Sequence, residues 1–434
     1  MQATLPHDQT TTPATKTRYV ALGYLSGLTL ILYLDRMCIG KAAPFIQDEL
    51  RLNDGQMGFV HAAFMLAYGL FEVITGHWGD RYGSRRVLIR IVIWWSVFTA
   101  LTGVVNGFLM LLLVRFLFGA GEAGALPNVS RVINNWFPAA DRGRMRGFVQ
   151  MPALVGGIIA PLLTAYLIEA VGWRMVFGIF GMVGVVWALF FARWFREYPA
   201  NHPDVNAAER EQIGPPPVTL HEKSLPLRAI ARSRNVWLLS GVLASGSICV
   251  YMIFAWYATY LEKVRGVSNV ESGWWNSAIM LGGALGCLAG GWLADVAHRN
   301  ISNRRWVFPS VGGGGFALAA LAMAVGVALE PVSWKSICFA IACFGIHCHG
   351  ASWWGANSEM SGHHSAAVFG VINSMGVLAA AVAQVAFGQV SREYWWAAFL
   401  ASSGFLALGS ICWFCVDVRR HVFLDEVEDE SVNP

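Results

Sequence analysis

The chain has 434 residues, of which 56% are hydrophobic and only 13% charged, and its net charge is +4. No soluble core of this length could hide that much apolar surface, whereas a bilayer solvates it directly. The eight cysteines all lie in apolar stretches, which excludes the disulfide framework of a small secreted domain.

Residues 1–18 are polar and rich in threonine. They read as a disordered cytoplasmic tail without a cleavable signal peptide. Crossing the hydrocarbon takes about 20 apolar residues. Twelve such runs follow: 19–43, 57–78, 87–106, 109–133, 146–169, 174–195, 235–261, 273–294, 306–328, 333–357, 364–390 and 395–417. Between the sixth and seventh lies a polar segment, 196–234, with Pro215-Pro216-Pro217 and mixed charges. Such a segment reads as a linker between two six-helix halves, 19–195 and 235–417. Residues 418–434 form an acidic tail, read as solvated. The expected fold is an all-α membrane protein of twelve transmembrane helices in two pseudo-symmetric halves.

Lysine and arginine crowd the tails and the even-numbered loops and thin out in the odd-numbered ones. By the positive-inside rule both termini face the cytoplasm. The halves also echo each other. Gly76-His77-Trp78-Gly79-Asp80 ends the second run and Gly291-Trp292-Leu293-Ala294-Asp295 ends the eighth, each followed by basic residues. An internal repeat of this kind is expected of secondary transporters, with the substrate site between the repeats.

Three stretches carry a family resemblance. Gly76 to Arg86 reads GHWGDRYGSRR, Tyr33 to Arg36 reads YLDR, and Arg115 to Pro127 reads RFLFGAGEAGALP; Trp136-Phe137-Pro138 with Arg142 continues the pattern. The first resembles the loop signature of the major facilitator superfamily, with Ser84 where a basic residue is usual. Together they resemble its anion–cation symporter family, which includes bacterial sugar-acid permeases. The resemblance implies that Asp80, Arg81 and Arg85 latch the cytoplasmic side of the halves. A basic loop that only sets topology is the plainer reading. The resemblance also implies that Arg36 binds a substrate carboxylate, with Tyr33 and Tyr68 as ligand contacts. Asp35 and Glu122 would couple protons, tuned by Arg115. In the second half it points to Trp354 and Asn373 as site residues. A ligand-contacting glutamine of one branch is missing, since Ala153 stands there; Gln150 lies one turn earlier.

Elementary physics singles out the same charges. A charged side chain at the bilayer centre costs about 2.5–3.5 kcal/mol on insertion scales. Arg115 and Glu122 are seven residues apart, two turns along one helical face. Asp35, Arg36, Arg115 and Glu122 thus read as two oppositely charged pairs facing the bundle interior or a wet cavity. Buried ion pairs that only hold helices together are the structural alternative. A planar guanidinium suits a carboxylate substrate.

Other features invite less. Gly119-x-Gly121-x-x-Gly124 has dinucleotide-binding spacing, but it lies inside a membrane run with no strand before it. Its glycines read as close-packing positions, as do Gly282, Gly286 and Gly290. His347 and His349 point to different sides of a helix, so no metal is expected. Cys412-x-x-Cys415 reads as packing, His363 and His364 as flanking the eleventh run, and Glu72 as a second titrating group or, on the structural reading, a partner for Arg90. The expected function is proton-coupled uptake of a small organic anion, a sugar acid foremost, with the proton gradient as energy source and no cofactor. Aromatic or short dicarboxylic acids, or export of a metabolite, are the alternatives. No enzyme chemistry, no nucleic acid and a functional monomer in an inner membrane complete the expectation.

Overall fold

The computed structural model describes residues 13–215, 227–361, 365–390, 394–420 and 422. The apolar runs become helices, and no strand occurs among the described residues. The first half holds α1 (Thr17–Leu50), α2 (Asp54–Tyr82), α3 (Ser84–Thr102), α4 (Phe108–Glu122), α5 (Ala125–Trp136) and α6 (Arg142–Trp194). Two short helices follow, α7 (Ala207–Ile213) and α8 (Leu227–Arg232). The second half holds α9 (Arg234–Lys263), α10 (Asn269–Asn300), α11 (Arg304–Ala328), α12 (Val332–Ser361), α13 (Ser365–Val390) and α14 (Trp395–Cys415).

Two of these depart from one run, one helix. α6 contains both the fifth and the sixth predicted runs, broken where Gly172 takes φ 78° and ψ 156°. Its two limbs are antiparallel, because Val149 and Trp187 both meet the first turns of α1 while Trp173 meets Glu49 at the other end. The fourth run, expected as one helix, is broken between α4 and α5. Gly124 there has φ +83°, and a Cβ on it would stand 2.3 Å from Thr75 Oγ1. Only glycine takes that conformation and that approach without strain. With α6 counted as two spans and α4 with α5 as one, the described helices make twelve spans, and their outward faces carry leucine, methionine and phenylalanine. Leu109, Met182, Leu189, Phe190, Leu285 and Leu288 are all exposed, as lipid-facing surface requires.

Helices pack closely where glycine allows it. A Cβ on Gly282, Gly286 or Gly290 of α10 would fall 2.4, 2.1 or 2.2 Å from the carbonyl oxygens of Ala340, Phe344 and Cys348 on α12. Without side chains in the seam the two backbones touch, as in other membrane bundles.

The halves meet along α1 against α9, α2 against α13 and α6 against α10. At the end bearing the α1–α2 and α9–α10 turns, this contact is polar and tight. Lys41, buried on α1, pairs with Glu262 of α9 and donates to Ser272 of α10 at 2.8 Å. Lys263 pairs with Asp48 at 3.0 Å, and Asn269 donates to the Ala165 carbonyl at 2.9 Å.

The opposite end, which carries the chain termini, is ordered further than the sequence suggests. The tail read as disordered is structured from Pro13. Thr15 and the backbone N–H groups of Thr17 and Arg18 all donate to the buried carboxylate of Glu209 on α7. Asn206, which caps α7 by accepting from Glu209 N–H, also binds Pro13 O. The first part of the segment read as a linker is therefore fastened to the first half. Pro216, Pro217, His363, His364 and residues 423–434 lie outside the described residues.

Candidate functional site between the two halves

α1 and α4 bring the intramembrane charges together, in a pairing the spacing does not anticipate. Arg36 Nε donates to Glu122 Oε1 at 2.9 Å, and a second guanidinium nitrogen reaches the same oxygen. Arg115, expected to partner Glu122 along one face of α4, instead lies 4.2 Å over the Phe118 ring, with Nη1 buried and unpartnered. Same-face placement puts two side chains in one neighbourhood. The choice of partner is made by the helix opposite, and α1 presents the better-placed guanidinium.

Asp35 and Arg36 separate for a similar reason. Adjacent helical residues diverge by about 100°. Arg36 turns towards the junction of the halves, while Asp35 is turned into the first half, 1% exposed. Its electrostatic neighbours are Glu122, Arg115 and the Trp95 indole, and neither of its oxygens is hydrogen-bonded.

Three aromatic rings cup the Arg36 guanidinium: Tyr68 at 5.0 Å, Phe64 at 5.5 Å and Tyr33 at 5.6 Å. Such rings hold a cation in place without neutralising it. Beside them lies a small cavity lined by Arg36, Arg115, His61, Phe64, Tyr251, Gln384 and their neighbours. His61 and Gln384 were not singled out in the sequence. Both are buried. His61 Nε2 is unpartnered, and Gln384 accepts from Trp256 Nε1 at 2.6 Å while its own Nε2 stays free. A histidine and a glutamine inside apolar runs were the available signal.

The other expected site residues stand elsewhere. Asn373 of α13 donates to Glu72 Oε2 of α2 at 2.9 Å, across the halves. Glu72 thus has a neutral partner, whereas Arg90 lies 4.2 Å over the Trp78 ring. Trp354 is 55% exposed and stacked on Phe369 at 4.5 Å, away from the cavity lining. Arg85 donates to the Phe195 carbonyl at 2.7 Å and to that of Ala192, both in its own half. Arg81 is exposed over Tyr82. The side chain of Asp80 lies outside the described residues.

The charges around the cavity are unevenly shared. Asp35, Arg36, Glu72, Arg115 and Glu122 all come from the first half. The second half contributes the neutral Tyr251, Gln384 and Asn373. The His347 ring binds the Cys343 carbonyl at 2.8 Å and His349 packs edge-on to Phe316, so neither serves the cavity. No group of metal-ligating side chains occurs among the described residues.

Comparison with known proteins bears on the fold and the family. The chain is 28% identical to a probable sulfoacetate transporter of Cupriavidus necator, over 91% of this chain and 93% of that one. It is 29% identical to a D-galactonate transporter of Escherichia coli, over 65% of this chain and 68% of that one. In structure it is similar to a bacterial homolog of the human lysosomal transporter Spinster, with a TM-score of 0.78, 20% identity, and 94% and 98% of the two chains covered. The family model of the Major Facilitator Superfamily matches residues 25–384. With twelve spans in two halves around a central charged cavity, the chain belongs to the Major Facilitator Superfamily and is a membrane transporter, not an enzyme.

Proposed function

We propose that the protein imports a small organic anion together with protons, and that the anion is a sugar acid of the hexonate, hexuronate or aldarate type. The observation that carries this reading is the Arg36–Glu122 ion pair at the edge of the cavity. Ionised Glu122 occupies the guanidinium that would clamp a substrate carboxylate. A proton on Glu122 removes that competitor and frees Arg36, so the anion enters where the proton has gone. A buried arginine without a counter-charge is costly; proton and anion binding therefore favour each other. This is the thermodynamic requirement for coupled transport.

Asp35, close to Arg115 and Glu122 inside the first half, supplies a second protonation site. Two protons accompanying one monovalent anion carry one net positive charge inward, worth about 2.3 kcal/mol per 100 mV. The seal made by Lys41, Glu262 and Ser272 lies at the end opposite the termini. With cytoplasmic termini in an inner membrane, this conformer is closed to the outside and returns empty or unloads inward. The relatives named for sulfoacetate and D-galactonate support an organic anion as cargo.

Proteoliposomes given labelled sugar acids and aromatic acids, with an imposed pH gradient and a separately clamped voltage, test the reading. Accumulation of a sugar acid that follows both gradients is expected. Uptake that ignores both would sink proton coupling, and uptake of aromatic acids alone would sink the substrate class.

A further inference from the structure

Halfway along the junction, one hydrogen bond ties the two halves at the level of the charged site. Asn373 Nδ2 donates to Glu72 Oε2 at 2.9 Å. Arg36 and Tyr68 are also electrostatic neighbours of Glu72, and the Tyr68 ring lies 5.0 Å from the Arg36 guanidinium. Arg36 is already engaged by Glu122. Glu72 is thus a carboxylate near Arg36 whose own partners, the Asn373 amide and the Tyr68 phenol, are neutral. A carboxylate so placed accepts further donors and repels another anion.

Electroneutrality points the same way. Asp35, Glu72 and Glu122 face two guanidiniums, Arg36 and Arg115, in one enclosed region. With all five ionised the empty site has one negative charge in excess. A bound monoanion raises the excess to two, which protons on Asp35 and Glu122 cancel. A dianion leaves one charge over, next to Glu72, and like charges brought together at low dielectric cost several kcal/mol.

We infer that Glu72, held by Asn373, sets the charge permitted at the distal end of the substrate: it admits a hydroxyl or other donor and rejects a second carboxylate or sulfonate. The inference rests on Arg36 as the anchor of the first carboxylate. It narrows the cargo to polyhydroxy monoacids and sets aldarates aside. A purely structural tie between α2 and α13 would hold the helices equally well without telling the two ligands apart.

The matched ligands are an aldonate and the aldarate of the same carbon number, galactonate and galactarate, which differ only at one terminal carbon. Each is titrated by calorimetry into the purified full-length protein. The wild type should prefer the aldonate by at least about tenfold, equivalent to about 1.4 kcal/mol. Glu72→Gln should bring the ratio close to unity, chiefly by tightening the aldarate. Glu72→Asp should keep the preference. Thermal unfolding of each variant checks that it is folded. If Glu72→Gln does not fold, Glu72→Ala tests the same charge rule. A wild-type preference for the aldarate overturns the inference, as does an unchanged ratio in the folded Gln or Ala variant. Binding of neither ligand overturns the sugar-acid reading itself, and this inference with it.

Discussion

Glu122 accepts from Arg36 of the neighbouring helix at 2.9 Å, although Arg115 stands two turns away on its own helix. That pairing makes the two members of the bond separable by mutation. Arg36→Ala removes the clamp and leaves Glu122 buried without its ion-pair partner. Breaking a buried pair from one side costs about 3–5 kcal/mol. Substrate binding should fall by about ten- to a hundredfold, since a charged hydrogen bond is worth about 1.5–3 kcal/mol. Calorimetric titration of the purified variant measures this, and normal affinity would remove Arg36 from the site.

Glu122→Gln should behave differently. The amide keeps the shape and an acceptor oxygen but cannot exchange a proton. Substrate should still bind and exchange across the membrane, while a pH gradient no longer drives accumulation. Counterflow and gradient-driven uptake, measured side by side in proteoliposomes, separate the two. Gradient-driven accumulation at the wild-type level would assign the coupling proton to another group.

The Lys41–Glu262 seal, which faces outward on the proposed orientation, gives a conformational prediction. Lys41→Met leaves Glu262 facing Ser272 alone, and Glu262→Leu leaves Lys41 buried beside an apolar side chain. Each single change should destabilise the closed end of the α1–α2 and α9–α10 turns. The double change should cost less than the sum, because an apolar pair of similar volume often replaces a buried ion pair without loss. A cysteine placed at Ile39 and a membrane-impermeant thiol reagent report opening. Labelling from outside should rise in both single variants and fall back in the double. Equal labelling in all would show that the pair does not hold the gate.

The seam between α10 and α12 tests the packing argument. Gly286→Ala puts a methyl group where the Phe344 carbonyl oxygen lies, 2.1 Å away, whereas Gly291→Ala meets nothing within 4 Å. The first should unfold at markedly lower temperature. The second should be neutral or stabilising by up to about 1 kcal/mol, the helix-propensity difference. Thermal unfolding in one detergent compares them directly.

The strap at the other end gives a prediction free of transport. Glu209→Ala removes the acceptor shared by Thr15, Thr17 and Arg18. Tryptic cleavage after Lys16 and Arg18 should speed up, with uptake little changed. Unaltered cleavage would mean that the segment is held by other contacts.

The spans were legible because an apolar run long enough to cross a bilayer has few other ways to satisfy its backbone. The importance of Arg36, Arg115, Asp35 and Glu122 was legible because each is expensive where it stands. Their partners were not, because α4 periodicity fixes which residues share a face and says nothing about what α1 brings opposite. Lys41 lies near the end of the first run, and its meaning appears only when Glu262 closes on it from the other half. The break at Gly124 hid in a glycine-rich stretch that reads equally well as continuous packing. Glu209, acidic and in a polar segment, looked solvated, and tertiary contact with the tail buries it.

Among the described residues, the charged groups around the cavity ride on one half of the molecule, while the other offers Tyr251, Gln384 and apolar neighbours. On the proposed cycle, electrical work and proton use are thereby confined to a single lobe. Its counterpart is an uncharged wall that can be reshaped for a longer, shorter or differently branched cargo. Grafting that wall from a relative should change what is carried and leave the current per cycle as it was.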